Sequence, residues 1–168
     1  MLKSEIEARL SDMEKVAELF EVEPFDIYFL GGCACTLGEY TDRATMDFDF
    51  VNLDYLAHYG RVFAMLRDFD MLDYETTILS PKYKERALKL DKFKCMNVYI
   101  LSVEDIIVSK IIRLADKDLE DINTLIEKAD KSLINIVIDE VLQRNDLSES
   151  KRNGFLAKLP RFRGEYNV

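Results

Sequence analysis

One histidine, three cysteines and three prolines are all that these 168 residues hold of those types. No apolar run is long enough to span a membrane. Each shortage excludes something. Cys33-x-Cys35 is too close for a zinc knuckle, Cys95 stands alone, and an odd count completes no disulfide set. All three cysteines are expected to be reduced and partly buried. His58 has no cysteine or carboxylate cluster beside it and reads as structural. No apolar leader region opens the chain, so a cytoplasmic protein with no membrane contact is expected. There is no repeat, low-complexity tract or linker. The prolines therefore act as punctuation: Pro24, Pro81 and Pro160 are each expected to end an element.

What is present points to a folded domain. Apolar residues make up 48% of the chain, enough for a core. The net charge is −9, from 23 basic and 32 acidic residues, which argues against indiscriminate nucleic-acid coating. Ile6, Leu10, Met13, Ala17 and Phe20 recur at helical spacing and predict a first helix over residues 3–20. Leu56, Tyr59, Phe63 and Leu66 predict another, capped by Asn52 or Asp54. A strand is expected over Tyr74–Leu79. Leu88 and Leu90, then Met96, Val98 and Ile100, alternate as an antiparallel hairpin with these side chains inward. From residue 102 the pattern is helical throughout. Ser102 to Asp105 and Asp118 to Asp121 open two helices, 132–144 forms a third, and 148–159 a fourth. The fold class is α+β: a small mixed sheet backed by helices, with a C-terminal helical part. Residues 1–101 form the α/β core, and 102–168 the helical part packed on it, in one domain overall.

The chemistry concentrates between Tyr28 and Val51. A short apolar strand ends at Gly31-Gly32, and a helical run from Cys33 to Leu37 follows. Glycines there let a backbone approach a ligand closely and leave free amides at a helix start, which suits phosphate. Met46-Asp47-Phe48-Asp49-Phe50 then alternates, sending Met46, Phe48 and Phe50 to the core and both aspartates to the other face. Two carboxylates about 7 Å apart at Cα along a strand either hold a hard divalent cation such as Mg²⁺ or form a solvated edge face. Arg43 reads as a phosphate ligand or a loop clamp, and Thr45 as a strand-edge hydroxyl. Further on, Lys110 falls on an apolar helix stripe with Val103, Ile107 and Leu114. Either it snorkels to water or its amine serves a site. The tail sets Lys151, Arg152, Lys158, Arg161 and Arg163 against Glu149 and Glu165. It is a solvated tail or a contact for RNA.

Gly31-Gly32, Arg43-Ala44-Thr45 and Asp47-Phe48-Asp49, in that order, resemble the signature of minimal nucleotidyltransferases of the polymerase-β-like superfamily. Ser80-Pro81-x-Tyr83-x-x-Arg86, Leu101-Ser102-x-Glu104-Asp105, Lys110 and Lys117-Asp118-x-x-Asp121 resemble the downstream pattern of its AbiEii-like branch. That resemblance implies transfer of a nucleoside monophosphate from an NTP to an RNA (tRNA-like) or protein acceptor. It implies Mg²⁺ or Mn²⁺ held by Asp47 and Asp49, with Lys110 and Asp121 catalytic and Gly31, Gly32, Arg43, Thr45 and Asp118 binding nucleotide. The branch includes toxins, so an antitoxin partner is also implied. Gly32 stands where many members have serine. No third carboxylate sits in a clear motif; Asp91, Asp73 and Glu75 are the candidates. The alternative is a weak or inactive member that binds a nucleotide or partner without turnover.

Overall fold

The computed structural model describes residues 1–168, in two compact units. The first comprises Met1–Leu72 and Ala87–Leu101; the second comprises Asp73–Arg86 and Ser102–Val168.

The first unit is built on a five-stranded mixed sheet of order β3-β2-β1-β5-β4. Its strands are β1 (Phe25–Leu30), β2 (Phe48–Val51), β3 (Phe69–Leu72), β4 (Leu88–Leu90) and β5 (Met96–Ile100). Central β1 runs parallel to β5 and antiparallel to β2, β3 is parallel to β2, and β4 is antiparallel to β5. Three helices accompany the sheet: α1 (Lys3–Leu19), α2 (Gly31–Leu37) and α3 (Gly60–Phe63), the last extended by 3-10 turns on both sides. Alternation explains the core. Phe25, Ile27 and Phe29 of β1 and Phe48 and Phe50 of β2 are buried, and the phenylalanines join Tyr59 and Phe63 in an aromatic cluster. Fully burying each large side chain contributes about 2–3 kcal/mol. Ile6, Leu10, Met13 and Ala17 of α1 are fully buried, as their spacing predicts.

Five local expectations fail here. Phe20 lies past the end of α1 and is half exposed. Met46 is 80% exposed, because β2 begins only at Phe48 and the two residues before it form a bend. Leu56 precedes the helical stretch and is exposed, and Asn52 Oδ1 accepts from Asp54 N in a tight turn rather than capping a helix. Leu88 is 55% exposed because β4 is a three-residue edge strand, which has no neighbour on one side.

The second unit is helical: α4 (Tyr83–Arg86), α5 (Val103–Ile111), α6 (Asp116–Leu125), α7 (Lys131–Leu142) and α8 (Glu149–Tyr166). The expected strand over Tyr74–Leu79 is absent; Tyr74–Thr76 is a 3-10 turn, and the strand lies earlier, at β3. Buried arginines organise this segment. Arg144, 3% exposed, donates to the carbonyls of Tyr74, Thr77 and Leu79, pairs with Asp146, and lies over the Tyr74 ring. Arg86 forks onto Asp105 at 2.9 and 3.0 Å and reaches Glu140 at 3.1 Å. Ser102 caps α5 as predicted, accepting from Asp105 N. Pro160 does not end α8, which continues to Tyr166. Pro160 and Leu156, whose carbonyl loses its partner, are both exposed, so water can satisfy that carbonyl. Phe155, Leu159, Phe162 and Tyr166 still form one buried stripe. No helix is long and apolar enough to cross a membrane.

These ion pairs carry a pH signature. Burial works against the charge of Glu140, but the Ser80 hydroxyl and Arg86 prevail and hold its carboxyl below the usual range. Arg144 does the same for Asp146, against burial. A carboxyl lowered by folding contributes stability above its unfolded value, about 4, and loses it as pH falls through the folded value. Acid titration should therefore weaken the helical unit below about pH 4. Glu140→Gln should flatten that acid limb in denaturant melts; an unchanged limb would contradict the assignment.

Candidate active site

Central β1 ends at Leu30, and the chain turns sharply at Gly31, where φ is +64°. That left-handed conformation is cheap only for glycine. The register sets Leu30 opposite Asp49, so Asp49 leaves β2 beside the turn. The approach is close: a Cβ on Gly31 would stand 2.4 Å from Asp49 Oδ2. Gly32 is confined in the same way, since a Cβ there would stand 2.7 Å from Thr45 Oγ1. The glycine pair is thus the floor on which Thr45 and Asp49 rest, one on each side of Asp47 in the chain.

The Asp47 loop is held from several directions. Thr45 Oγ1 donates to the Asp47 carbonyl at 3.2 Å. The Thr45 amide donates to the Met1 carbonyl, and the Met1 amine donates to the Thr45 carbonyl. Thr36 Oγ1 lies 3.0 Å from the carbonyls of both Gly32 and Arg43, tying α2 to the loop. Asp47 is exposed and Asp49 half-buried. Burial first, then the charge of Asp49 and of Cys35, push the Cys33 thiol well above its ordinary value. Cys33 is therefore protonated at neutral pH and is no nucleophile. All three cysteines are free.

A second cluster lies in the helical unit. Lys110 of α5 is 7% exposed, and its ammonium sits 2.8 Å from Asp121 Oδ2 and 3.6 Å from Asp118 Oδ1. Asp118 also takes Arg113 Nη2 at 2.7 Å and the Ala115 amide at 3.3 Å. It is the third residue of α6, reaching back over the helix start, and not the cap residue its sequence position suggested.

A family model described as "Nucleotidyltransferase of unknown function (DUF6036)" matches residues 8–165. The chain belongs to that family. No curated protein and no solved structure matches it. In this DUF6036 nucleotidyltransferase, the α+β fold with a small mixed sheet agrees with the sequence expectation.

The candidate residues gather in two sets. Gly31 meets Asp49 and Gly32 meets Thr45 in the sheet unit, with the exposed Asp47 tied to them only through its carbonyl; Lys110, Asp118 and Asp121 come together in the helical unit. Arg43 is exposed beside the first set, its carbonyl engaged by Thr36. Lys110 neither snorkels nor stands alone, because two carboxylates receive its amine. Of the earlier candidates for a third carboxylate, Asp73 and Glu75 lie at a 3-10 turn of the helical unit, and Asp91 lies in the β4–β5 turn.

The residue that sequence reading missed is Asp70. It is the Cα partner of Asp49 across the parallel β2–β3 pair, so both carboxylates leave the same face of neighbouring strands. Such partners sit about 5 Å apart at Cα. Its signal is Phe69-Asp70-Met71, an aspartate between apolar residues, five residues before the strand start at Tyr74 that the sequence predicts. No group of three or more His, Cys, Asp or Glu side chains is already gathered as a metal cage.

Proposed function

We propose that this nucleotidyltransferase is metal-dependent and moves a nucleoside monophosphate from an NTP to an RNA or protein acceptor. The observation that carries the reading is the contact of Asp49 with the Gly31 turn. The residues fit a hard divalent ion. Mg²⁺ commonly takes one or two carboxylates and completes its shell with substrate phosphates and water. Asp47 and Asp49 supply those carboxylates, and Asp70 supplies a third from the adjacent strand. The missing Cβ of Gly31 is what lets the Asp49 carboxylate lie against the turn.

When bound, the metal supplies positive charge at the phosphoryl group under attack. The chain does the rest. Asp47 and Asp49 would hold the ion, with Asp70 opposite Asp49 on the neighbouring strand. The backbone amides of Gly31 and Gly32 donate to phosphate oxygens, and exposed Arg43 adds charge beside them. The AbiEii-like resemblance adds a toxin role with an antitoxin partner as the biological setting.

The test is label transfer from radioactive NTPs to total RNA or lysate protein with Mg²⁺ or Mn²⁺. Asp49→Asn should lower transfer at least about a hundredfold, the scale of losing one preorganised electrostatic group. Equal transfer by the variant would end the proposal. The ion pairs of Lys110 favour a second reading, in which the downstream set is structural and the protein binds nucleotide without turnover. Calorimetric binding of Mg²⁺–NTP with no product would select it.

A further inference from the structure

Helix α8 carries charge that the nucleotide site leaves unused. Five basic residues face two acidic ones, a balance of +3, while the rest of the chain carries −12. Arg152 is consumed internally, capping the carbonyls of Leu142 and Arg144. Lys151 and Lys158 form no ion pair, and Arg161 lies 3.8 Å from Glu165 in an exposed pair of little worth.

These three share a ridge. Lys151 is three residues before Gly154, Lys158 four after it, and Arg161 three further on, the spacings of one helix face. The ridge has a defined position in the helical unit: a Cβ on Gly154 would stand 3.5 Å from Ile112 Cγ1. The helix therefore passes the end of α5 at Gly154, with Lys151 and Lys158 half-buried and Arg161 exposed. Ten residues of helix spread the three charges over about 15 Å.

We propose that this ridge grips the phosphate backbone of the RNA acceptor; the proposal rests on the nucleotidyltransfer reading and assigns its acceptor class. Rows of point charges along a helix suit a strand of phosphates. The aromatic side chains of α8, Phe155, Phe162 and Tyr166, are all buried, so the ridge offers no ring for bases to stack on. Contact is through phosphates, insensitive to base sequence and sensitive to salt.

Fluorescence anisotropy of the full chain with labelled single-stranded RNA tests it. Three phosphate contacts on a single strand give a salt slope near −2, so raising salt from about 50 to about 150 mM should weaken binding about tenfold. The variant K151Q/K158Q/R161Q should lose most of that slope and bind about tenfold more weakly at the lower salt. Circular dichroism checks that it is folded; should it not be, the single variant Lys158→Gln is read instead, with about a third of the slope lost. Asp49→Asn should bind RNA like the parent, which separates failure of this surface from failure of the nucleotide site. No RNA binding by the parent, an unchanged slope in the variant, or competition by polyglutamate as strong as by RNA of equal charge would overturn the proposal.

Discussion

Gly31→Ala is expected to cost about 2–5 kcal/mol of stability and to remove nucleotidyl transfer. Two effects combine. A non-glycine residue at φ +64° is strained by about 1–2 kcal/mol. A Cβ 2.4 Å from Asp49 Oδ2 must also displace either the turn or the carboxylate, and forcing extra volume into a packed contact costs about 1–3 kcal/mol. The two are separable by a double-mutant cycle. In an Asp49→Ala background the collision is gone, and the added Gly31→Ala should cost only its backbone share. Denaturant melts of the four variants give the coupling. If Gly31→Ala costs the same with and without Asp49, the contact is not what reserves this position for glycine. Activity sharpens the point, because under the proposed metal role a displaced Asp49 would no longer be placed to hold the ion, while Asp47 is untouched.

Lys110→Met should destabilise the helical unit by about 2–3 kcal/mol. Removing one partner of a buried ion pair typically costs about 3–5 kcal/mol, because a charge is left behind in a poor solvent. The lower figure follows from two features: Arg113 still pairs with Asp118, and Asp121 keeps some contact with water. Methionine fills similar volume and is a good helix former in the last turn of α5, so charge is the main variable. Adding Asp121→Asn should recover more than half of the loss. The same variants ask whether this cluster does chemistry. If Lys110→Met/Asp121→Asn is stable yet transfers no label, the cluster acts on substrate. If it is stable and transfers as the parent does, the cluster is architecture.

Much of the fold was legible because it follows from short-range rules. The stripe Ile6, Leu10, Met13, Ala17 is buried as its spacing requires, and Met96, Val98 and Ile100 face the core as strict alternation requires. Ser102 caps α5 for a reason contained within four residues. Two of the errors depended on neighbours distant in sequence. Leu88 alternates correctly but lies on an edge. Pro160 breaks helices in general, yet here its lost hydrogen bond faces solvent. Ser80, Arg86, Ser102 and Asp105, quoted as motif residues, prove to be members of one hydrogen-bond network that fastens α4 to α5 and α7.

The sequence by itself determined most of the elements and the order Gly31-Gly32, Thr45, Asp47, Asp49, because helix and strand periodicities and glycine's freedom at positive φ are properties of a few adjacent residues. Tertiary structure alone decided which of those groups meet. Strand register brought Asp49 to Gly31 and set Asp70 beside it, and the packing of α6 on α5 delivered two carboxylates to Lys110. Register and helix packing are chosen by the burial of whole faces, a sum over many distant residues that no local window contains.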